Sequence, residues 1–250
     1  MATAVPTTAW LRRYHPADPG DRRLVCFPHA GGSASFYHPV SARFSPGVEV
    51  VAVQYPGRQD RRHEPCVDDI RTLAGLVAAE IRALPPKPSV YFGHSMGAAV
   101  AFETAWRLER DGLGPRALIA SGWRAPSDPL DEGVHRRDDD GVFAEIRGLD
   151  GTDAALLADE EILRMALPAI RSDYRAIETY AASRDQVLRC PIITLLGDTD
   201  GKVDRVTASG WAAHTNGAFR LRVFPGGHFY LLGQQAQVCA EVAATLADHC

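Results

Sequence analysis

The chain has 250 residues, of which 46% are hydrophobic and 23% are charged, a balance typical of a folded globular protein and not of a disordered one. Its formal net charge of −4 lacks the basic excess that nucleic-acid binding usually requires. The five cysteines lie far apart and form no C-x-x-C pair, which favours a reducing compartment over a disulfide framework or a zinc site. The segment Met1 to Trp10 lacks the apolar core of a signal peptide, and the later apolar runs are shorter than the ~20 residues that span a bilayer. We therefore expect a cytoplasmic protein.

Short apolar runs that end at turn signals predict buried β-strands. They alternate with longer segments of helical spacing, of which the clearest begins at Ile70 and stops before Pro85 and Pro86. This alternation is typical of an α/β fold with a mostly parallel central sheet and helices on both faces. The predicted strands are Leu24–Phe27, Val48–Val53, Val90–Phe92, Ala117–Ala120, Ile192–Leu196 and Phe219–Phe224.

Residues 128–185 interrupt the alternation, because they contain no convincing strand and carry several helical patterns. An apolar stripe in this insert predicts an amphipathic helix, and Pro168 within it predicts a kink or two consecutive helices. Such an insert forms either a further helical layer of the core or a cap over a pocket. The stripe consists of Leu163, Leu167, Ile170, Tyr174 and Ile177.

The most informative motif is the G-x-S-x-G pentapeptide that surrounds Ser95. An apolar strand leads into it and an alanine-rich helix follows, which is the context of a nucleophile elbow. On such a turn the serine hydroxyl projects above the sheet, and the flanking glycines permit the close backbone approach that the turn requires. The sequence therefore predicts Ser95 as a catalytic nucleophile.

A nucleophilic serine needs a histidine base and a carboxylate that orients the base, in the chain order serine, acid, histidine. The strand Ile192–Leu196 leads directly to Asp198 and Asp200, and we favour Asp200 as the acid, with Asp198 as a turn-forming or capping residue. Among nine histidines, His228 alone combines a position after a strand, flanking glycines and the correct chain order. Of the others, His94 is expected to support the site and His214 to lie on a helix surface.

The loop Phe27–Gly32 follows the first predicted strand, where the second half of an oxyanion hole is expected. Its glycines allow backbone N–H groups to face a cavity, so the N–H groups of Ala30 and Met96 are the predicted donors. A simple glycine turn is the alternative interpretation of this loop.

These motifs together resemble the type II thioesterases, the external, editing enzymes of polyketide and nonribosomal peptide synthases, in the α/β-hydrolase superfamily. The resemblance covers nearly the whole chain. It rests on F-P-H-A-G-G at Phe27–Gly32, Q-Y-P-G-R at Gln54–Arg58, G-H-S-M-G-A at Gly93–Ala98, G-D-x-D at Gly197–Asp200 and G-G-H-F at Gly226–Phe229. The first two blocks are more particular to this family than the other three.

The resemblance implies a catalytic triad of Ser95, Asp200 and His228, with oxyanion donors at Ala30 and Met96. It also implies that the insert is a flexible helical lid, and that no metal or organic cofactor takes part. The implied substrate is an acyl thioester on the phosphopantetheine arm of an acyl or peptidyl carrier protein. In one departure from the family, Gly201 stands where a proline often follows the acid, which puts the stiffness of this loop in doubt.

Because the three triad residues must converge, we expect one α/β-hydrolase domain over residues 1–250, with the lid insertion at about 128–185. We also expect a monomer that binds neither nucleic acid nor membrane. Two alternatives are an oxygen-ester hydrolase or acyltransferase with the same triad, and a non-enzymatic binding protein on this scaffold. The arginines at 58, 61 and 62 form a candidate docking edge for an acidic carrier domain, although such arginines are usually only solvated.

Overall fold

The computed structural model describes residues 8–17, 21–149 and 160–250. Its seven strands form one sheet in the order β1-β3-β2-β4-β5-β6-β7. Only the pairing of β1 with β3 is antiparallel, and the other five pairings are parallel. The strands are β1 Leu11–Arg12, β2 Arg23–Phe27, β3 Glu49–Val53, β4 Ser89–His94, β5 Ala117–Ser121, β6 Ile192–Gly197 and β7 Phe219–Phe224.

Helices cover both faces of this sheet. One face packs against α2 and α3, and the other packs against α1 and α8. In the described residues, no helix combines the length and the apolar character needed to cross a bilayer. The helices are α1 His38–Phe44, α2 Ile70–Arg82, α3 Met96–Glu109, α4 Asp139–Gly148, α5 Glu160–Glu178, α6 Arg205–Ser209, α7 Tyr230–Gly233 and α8 Gln235–His249.

The predicted α/β class and mostly parallel sheet are confirmed. Each predicted strand agrees with an observed strand to within one residue at either end, except β4, which extends further at its C-terminal end. Every residue of β2 to β6 is buried, because helices cover both sides of each strand. The sequence prediction omitted β1, since a strand of two residues carries no periodicity that a pattern can register.

The insert between β5 and β6 contributes no strand in the parts that the structure describes, residues 128–149 and 160–185. Residues 150–159 of the predicted lid lie outside the described residues. Helix α5 runs through Pro168 as one element, so of the two predicted outcomes, a kink or two consecutive helices, the second does not occur. Its first half packs with α4 in a small separate core, whereas its last turns pack into the main core beside α3.

Because parallel strands end at the same edge of a sheet, the loops that follow them lie at that edge, and these loops carry the predicted motifs. The loops that follow β2, β4, β6 and β7 carry the F-P-H-A-G-G, elbow, acid and histidine blocks, and these strands lie close together in the sheet order. Segments that are far apart in the sequence therefore meet at one edge of the sheet.

Candidate active site

Ser95 occupies the sharp turn between β4 and α3. Its backbone has φ 55° and ψ −125°, a conformation that non-glycine residues rarely adopt and that the surrounding structure must hold in place. The Ser95 N–H donates to the carbonyl oxygen of Ser121 on the neighbouring strand at 2.8 Å. This strained and anchored turn is the geometry expected of a nucleophile elbow.

The two glycines of the elbow are required by close packing. A Cβ on Gly93 would collide with the backbone of Gly97, and a Cβ on Gly97 would collide with the carbonyl oxygen of Phe27 at the end of β2. Helix α3 can start directly behind Ser95 only because both side chains are absent. The G-x-S-x-G spacing thus has a steric basis here.

His228 and Asp200 are hydrogen-bonded to each other. The Nδ1–H of His228 donates to Asp200, with distances of 3.0 Å to Oδ2 and 3.1 Å to Oδ1. The side chain of Asp200 is fully shielded from solvent, and that of His228 is 5% exposed. An imidazole held this way presents its other nitrogen, Nε2, as an acceptor, which is the tautomer that a general base requires.

Asp198 lies two residues before Asp200 and has a different partner. Its Oδ1 accepts a hydrogen bond from the N–H of Gly226 at 2.9 Å, in the loop that carries His228. Asp198 thus links the acid loop to the histidine loop, a contact between two loops in place of the local turn or cap expected for it.

The loop after β2 turns sharply between His29 and Gly32. The N–H of Gly32 donates to the carbonyl oxygen of His29 at 2.9 Å, and the N–H of Gly31 donates to Asp173 at 2.8 Å. These two amides are engaged within the protein, which leaves Ala30 as the candidate donor of this turn. Met96 is the first residue of α3, where a helical N–H has no partner inside the helix.

Ser95, His228 and Ala30 line one cavity at the sheet edge. The insert supplies part of its wall, including the aromatic ring of Tyr174 on α5. Most of the lining is apolar, which suits an acyl chain, but three charged residues also reach it. The remaining lining residues are His29, Trp123, Leu130, Leu149, Ile177 and Phe229, with the charged Glu132, Glu178 and Lys202.

Two further histidines, His29 and His94, are buried near His228, and both are neutral. Burial, together with the neighbouring His228, lowers the pKa of His29 to about 3 and lowers the pKa of His94 well below its usual value. His94 Nδ1 lies 2.9 Å from the hydroxyl of Ser121, which in turn lies 2.7 Å from that of Tyr230. The ring of His94 is centred 5.1 Å from that of His228, so His94 supports the site through packing, as expected.

Two expectations about surface residues are wrong. Arg58 and Arg61 of the candidate docking edge are buried, with 8% and 5% exposure, and pair with Asp173 and Glu64, whereas its third arginine, Arg62, is exposed. His214 is 1% exposed, because its two ring nitrogens lie 2.7 and 2.8 Å from Ser127 Oγ and the Gln186 carbonyl oxygen. In each case partners that are distant in the sequence bury a polar side chain.

Asp173 is a residue of this region that the sequence analysis did not identify. It lies on α5 and is 1% exposed, in contact with both Gly31 and Arg58. A signal was present, because Asp173 falls three residues after Ile170 and four before Ile177, within the apolar stripe. A charged residue on a buried helix face requires a partner, and that requirement could have singled it out.

Among the described residues, a group of side chains that includes Glu178 of the cavity wall has the composition of a metal site. Ligand atoms of Asp131, His135 and Glu178 lie within 4.8 Å of one another. Each carboxylate already has protein partners, since Glu178 accepts the N–H groups of Val134 and His135 and Asp131 pairs with Arg136. These contacts explain the cluster as a support for the short 3₁₀ turn Val134–Arg136.

Comparisons with known proteins identify the family. The profile described as "Thioesterase domain" matches residues 22–246. A probable cadicidin biosynthesis thioesterase of Streptomyces griseus is 60% identical over 247 residues, which cover 98% of this chain and 68% of that protein. Thioesterase PikA5 of Streptomyces venezuelae is 48% identical over 241 residues, which cover 96% of this chain and 86% of that protein.

A solved structure confirms the predicted fold as well. The type II thioesterase BorB from the borrelidin biosynthetic cluster matches with a TM-score of 0.92 and 49% identity, over 97% of this chain and 100% of that chain. The family, the α/β-hydrolase fold and the enzyme class predicted from the motifs all agree with these relatives. The chain therefore belongs to the thioesterase family and is a thioester hydrolase related to the type II thioesterases of biosynthetic clusters.

Proposed function

We propose that Ser95, His228 and Asp200 form the catalytic triad of this thioesterase, with the N–H groups of Ala30 and Met96 as its oxyanion hole. The observation that carries this proposal is that His228, which is hydrogen-bonded to Asp200, lines one cavity together with Ser95. The strained backbone of Ser95 supports the assignment of the nucleophile.

The reaction proceeds in two acyl-transfer steps. His228 Nε2 takes the proton of Ser95 Oγ while that oxygen attacks the thioester carbonyl. The C–S bond then breaks, and the protonated His228 returns this proton to the leaving sulfur, which departs as the thiol. The negative charge on the carbonyl oxygen of the tetrahedral intermediate is held by the two N–H groups. In the second step a water molecule, deprotonated by His228, attacks the carbonyl carbon of the acyl-serine. The bond from this carbon to Ser95 Oγ breaks, His228 returns the proton to Oγ, and the free acid is released.

The proposed substrate is an acyl group on the phosphopantetheine arm of an acyl or peptidyl carrier protein, removed when it is aberrant or stalled. The names of the relatives, which place them in biosynthetic clusters, support this assignment and favour a thioester over an oxygen ester. The largely apolar cavity supports an acyl chain as the bound group. We further propose that the chain acts in the cytoplasm as a monomer and as one α/β-hydrolase domain, with residues 128–185 as a lid.

The test measures release of free thiol from an acyl carrier protein loaded with a short acyl chain. Ser95→Ala should abolish release, and Ser209→Ala, a matched change on the exposed face of α6, should leave it unchanged. Survival of activity in Ser95→Ala would show that another group is the nucleophile. A parallel assay with a matched oxygen ester addresses the alternative, and faster turnover of that ester would contradict the assignment of a thioester substrate.

A further inference from the structure

Helix α5 of the insert contacts the loop that carries Ala30. The Oδ2 atom of Asp173 on this helix accepts the N–H of Gly31 at 2.8 Å. Asp173 and Gly31 are 142 residues apart in the sequence, so this hydrogen bond joins two separate parts of the chain. Through Asp173, helix α5 therefore binds the peptide group between Ala30 and Gly31.

Arg58 completes the connection from the other side. Its Nη1 and Nη2 donate to the two carboxylate oxygens of Asp173 at 2.7 and 2.9 Å, and Nη1 also lies 3.2 Å from the carbonyl oxygen of Gly32. Paired guanidinium and carboxylate groups that fit in this two-pronged manner impose a definite geometry on their surroundings. Asp173 therefore binds the N–H of Gly31 while Arg58 binds the carbonyl oxygen of Gly32.

The hydrogen bonds select one conformation of the turn His29–Gly32. Ala30 and Gly31 are its two central residues, and Gly31 has φ +73°, the left-handed value that a type II turn requires at its second central position. Type I and type II turns differ in the direction of the peptide between the central residues, and that peptide contains the Gly31 N–H. A carboxylate that accepts this N–H opposes a flip to the other turn type.

The side chain of Ile170, one turn before Asp173, closes the space beside Gly31. A Cβ on Gly31 would lie 2.9 Å from Ile170 Cγ1, so the helix packs directly on the loop backbone. The same helix carries Leu163 and Leu167 in the separate core of the insert. A displacement of the insert that withdrew α5 would also withdraw Asp173 and Ile170 from the loop.

We infer that Asp173 is a positioning residue for hydrolysis, which keeps the turn His29–Gly32, and with it the Ala30 N–H, in place at the oxyanion by accepting the N–H of the adjacent Gly31, and which makes the oxyanion hole dependent on the docking of helix α5. This inference rests on the proposed function, because it takes Ala30 as an oxyanion donor. Arg58 serves the same purpose by holding the Asp173 carboxylate in place.

The expected effect concerns the transition state and not the binding of substrate. In Asp173→Ala, kcat for thiol release from a loaded carrier protein should fall by about 10²-fold, near the loss that follows removal of one oxyanion donor, while KM changes by less than about threefold. Asp173→Asn retains an oxygen that can accept the Gly31 N–H but places an NH2 group against Arg58 Nη2, and it should therefore recover part of the lost kcat. If Asp173→Ala does not fold, the same kinetic measurements on Asp173→Asn still test the inference.

Arg175→Ala is the matched control. Arg175 lies two residues further along α5, is exposed, and pairs with Asp68 at 3.1 Å. This change removes a different ion pair between α5 and the rest of the protein and leaves the loop contact intact. We expect kcat and KM to stay within twofold of the unaltered enzyme.

A second measurement separates positioning from general destabilisation. An alkylboronic acid forms a tetrahedral adduct with an active serine and places an oxygen where the oxyanion develops, so its affinity should fall in Asp173→Ala by the same factor as kcat. We also expect Asp173→Ala, introduced in the Ser95→Ala background, to leave the affinity for a carrier protein that bears an uncleavable thioether unchanged.

Two outcomes would overturn the inference: Asp173→Ala matching Arg175→Ala in all assays, or a rise in KM with unchanged kcat and unchanged boronic acid affinity. Activity in Ser95→Ala alone would instead contradict the proposed function, so the two failures remain distinguishable.

Discussion

Asp200 contacts His228, whereas Asp198, only two residues earlier, contacts Gly226 of the histidine loop. Both residues lie in the turn that follows β6, where the alternation of a strand no longer applies, and one carboxylate is directed at the base while the other is directed at the backbone that carries the base. This division of contacts predicts different consequences for the same substitution at the two positions.

Asp200→Asn should lower kcat by about 10³- to 10⁴-fold, because an amide in this place can impose the wrong imidazole tautomer while the geometry stays intact. Asp198→Asn retains an oxygen that can accept the Gly226 N–H, and it should change kcat by less than about tenfold, since one loop hydrogen bond contributes only about 1 kcal/mol. Steady-state rates of thiol release compare the two variants. Equal losses would show that Asp198 also acts in the reaction.

The elbow glycines predict a steric effect on stability. Gly97→Ala places a methyl group against the carbonyl oxygen of Phe27, and forcing extra volume into such a contact costs about 1–3 kcal/mol. Because Phe27 precedes the loop that carries Ala30, activity should fall as well. Urea unfolding measures the change in the free energy of unfolding. Gly201→Ala is the matched control, since nothing lies within 4 Å of a Cβ at that position, and a loss as large as that of Gly97→Ala would contradict the packing argument.

The parts of the fold that the sequence predicts are those with a local physical signal. Buried parallel strands appear as continuous apolar runs, and the elbow places its strand, glycines and helix in one continuous stretch, Ser89 to Glu109, so both could be found without tertiary information. The contact of Arg58 with Asp173 spans 115 residues, and no local pattern indicates which charged groups meet across that distance. Burial of His214 depends in the same way on Ser127 and Gln186.

The buried imidazole of His29 predicts a dependence of stability on pH. Its folded-state pKa of about 3 lies below the ordinary value of 6.5, so the unfolded chain binds a proton that the folded protein does not. Stability is therefore complete above about pH 7 and is lost progressively as the pH falls toward 3. Between pH 8 and pH 5 this one group should remove about 2 kcal/mol from the free energy of unfolding.

Urea unfolding of the unaltered protein and of His29→Gln at both pH values tests this expectation. The glutamine variant should lose about 2 kcal/mol less than the unaltered protein between pH 8 and pH 5, since it carries no imidazole at this position. His63→Gln removes an exposed histidine and should leave the pH dependence as it is. A pH dependence that is the same in all three proteins would show that His29 accepts a proton in the folded state.

Leu149 predicts how the cavity selects acyl chains. Its side chain lies in the cavity wall, at the C-terminal end of α4. Leu149→Ala enlarges the cavity and should favour longer chains, whereas Leu149→Phe fills it and should favour shorter ones. A methylene group in an apolar pocket contributes about 1–3 kcal/mol to discrimination, so the ratio of kcat/KM between two chains should change by about tenfold or more. The measurement is a panel of acyl chains of increasing length on one carrier protein, with the release rate of each. Shifts of both variants in the same direction would show that this residue affects the site through the docking of the insert and not through the volume of the cavity.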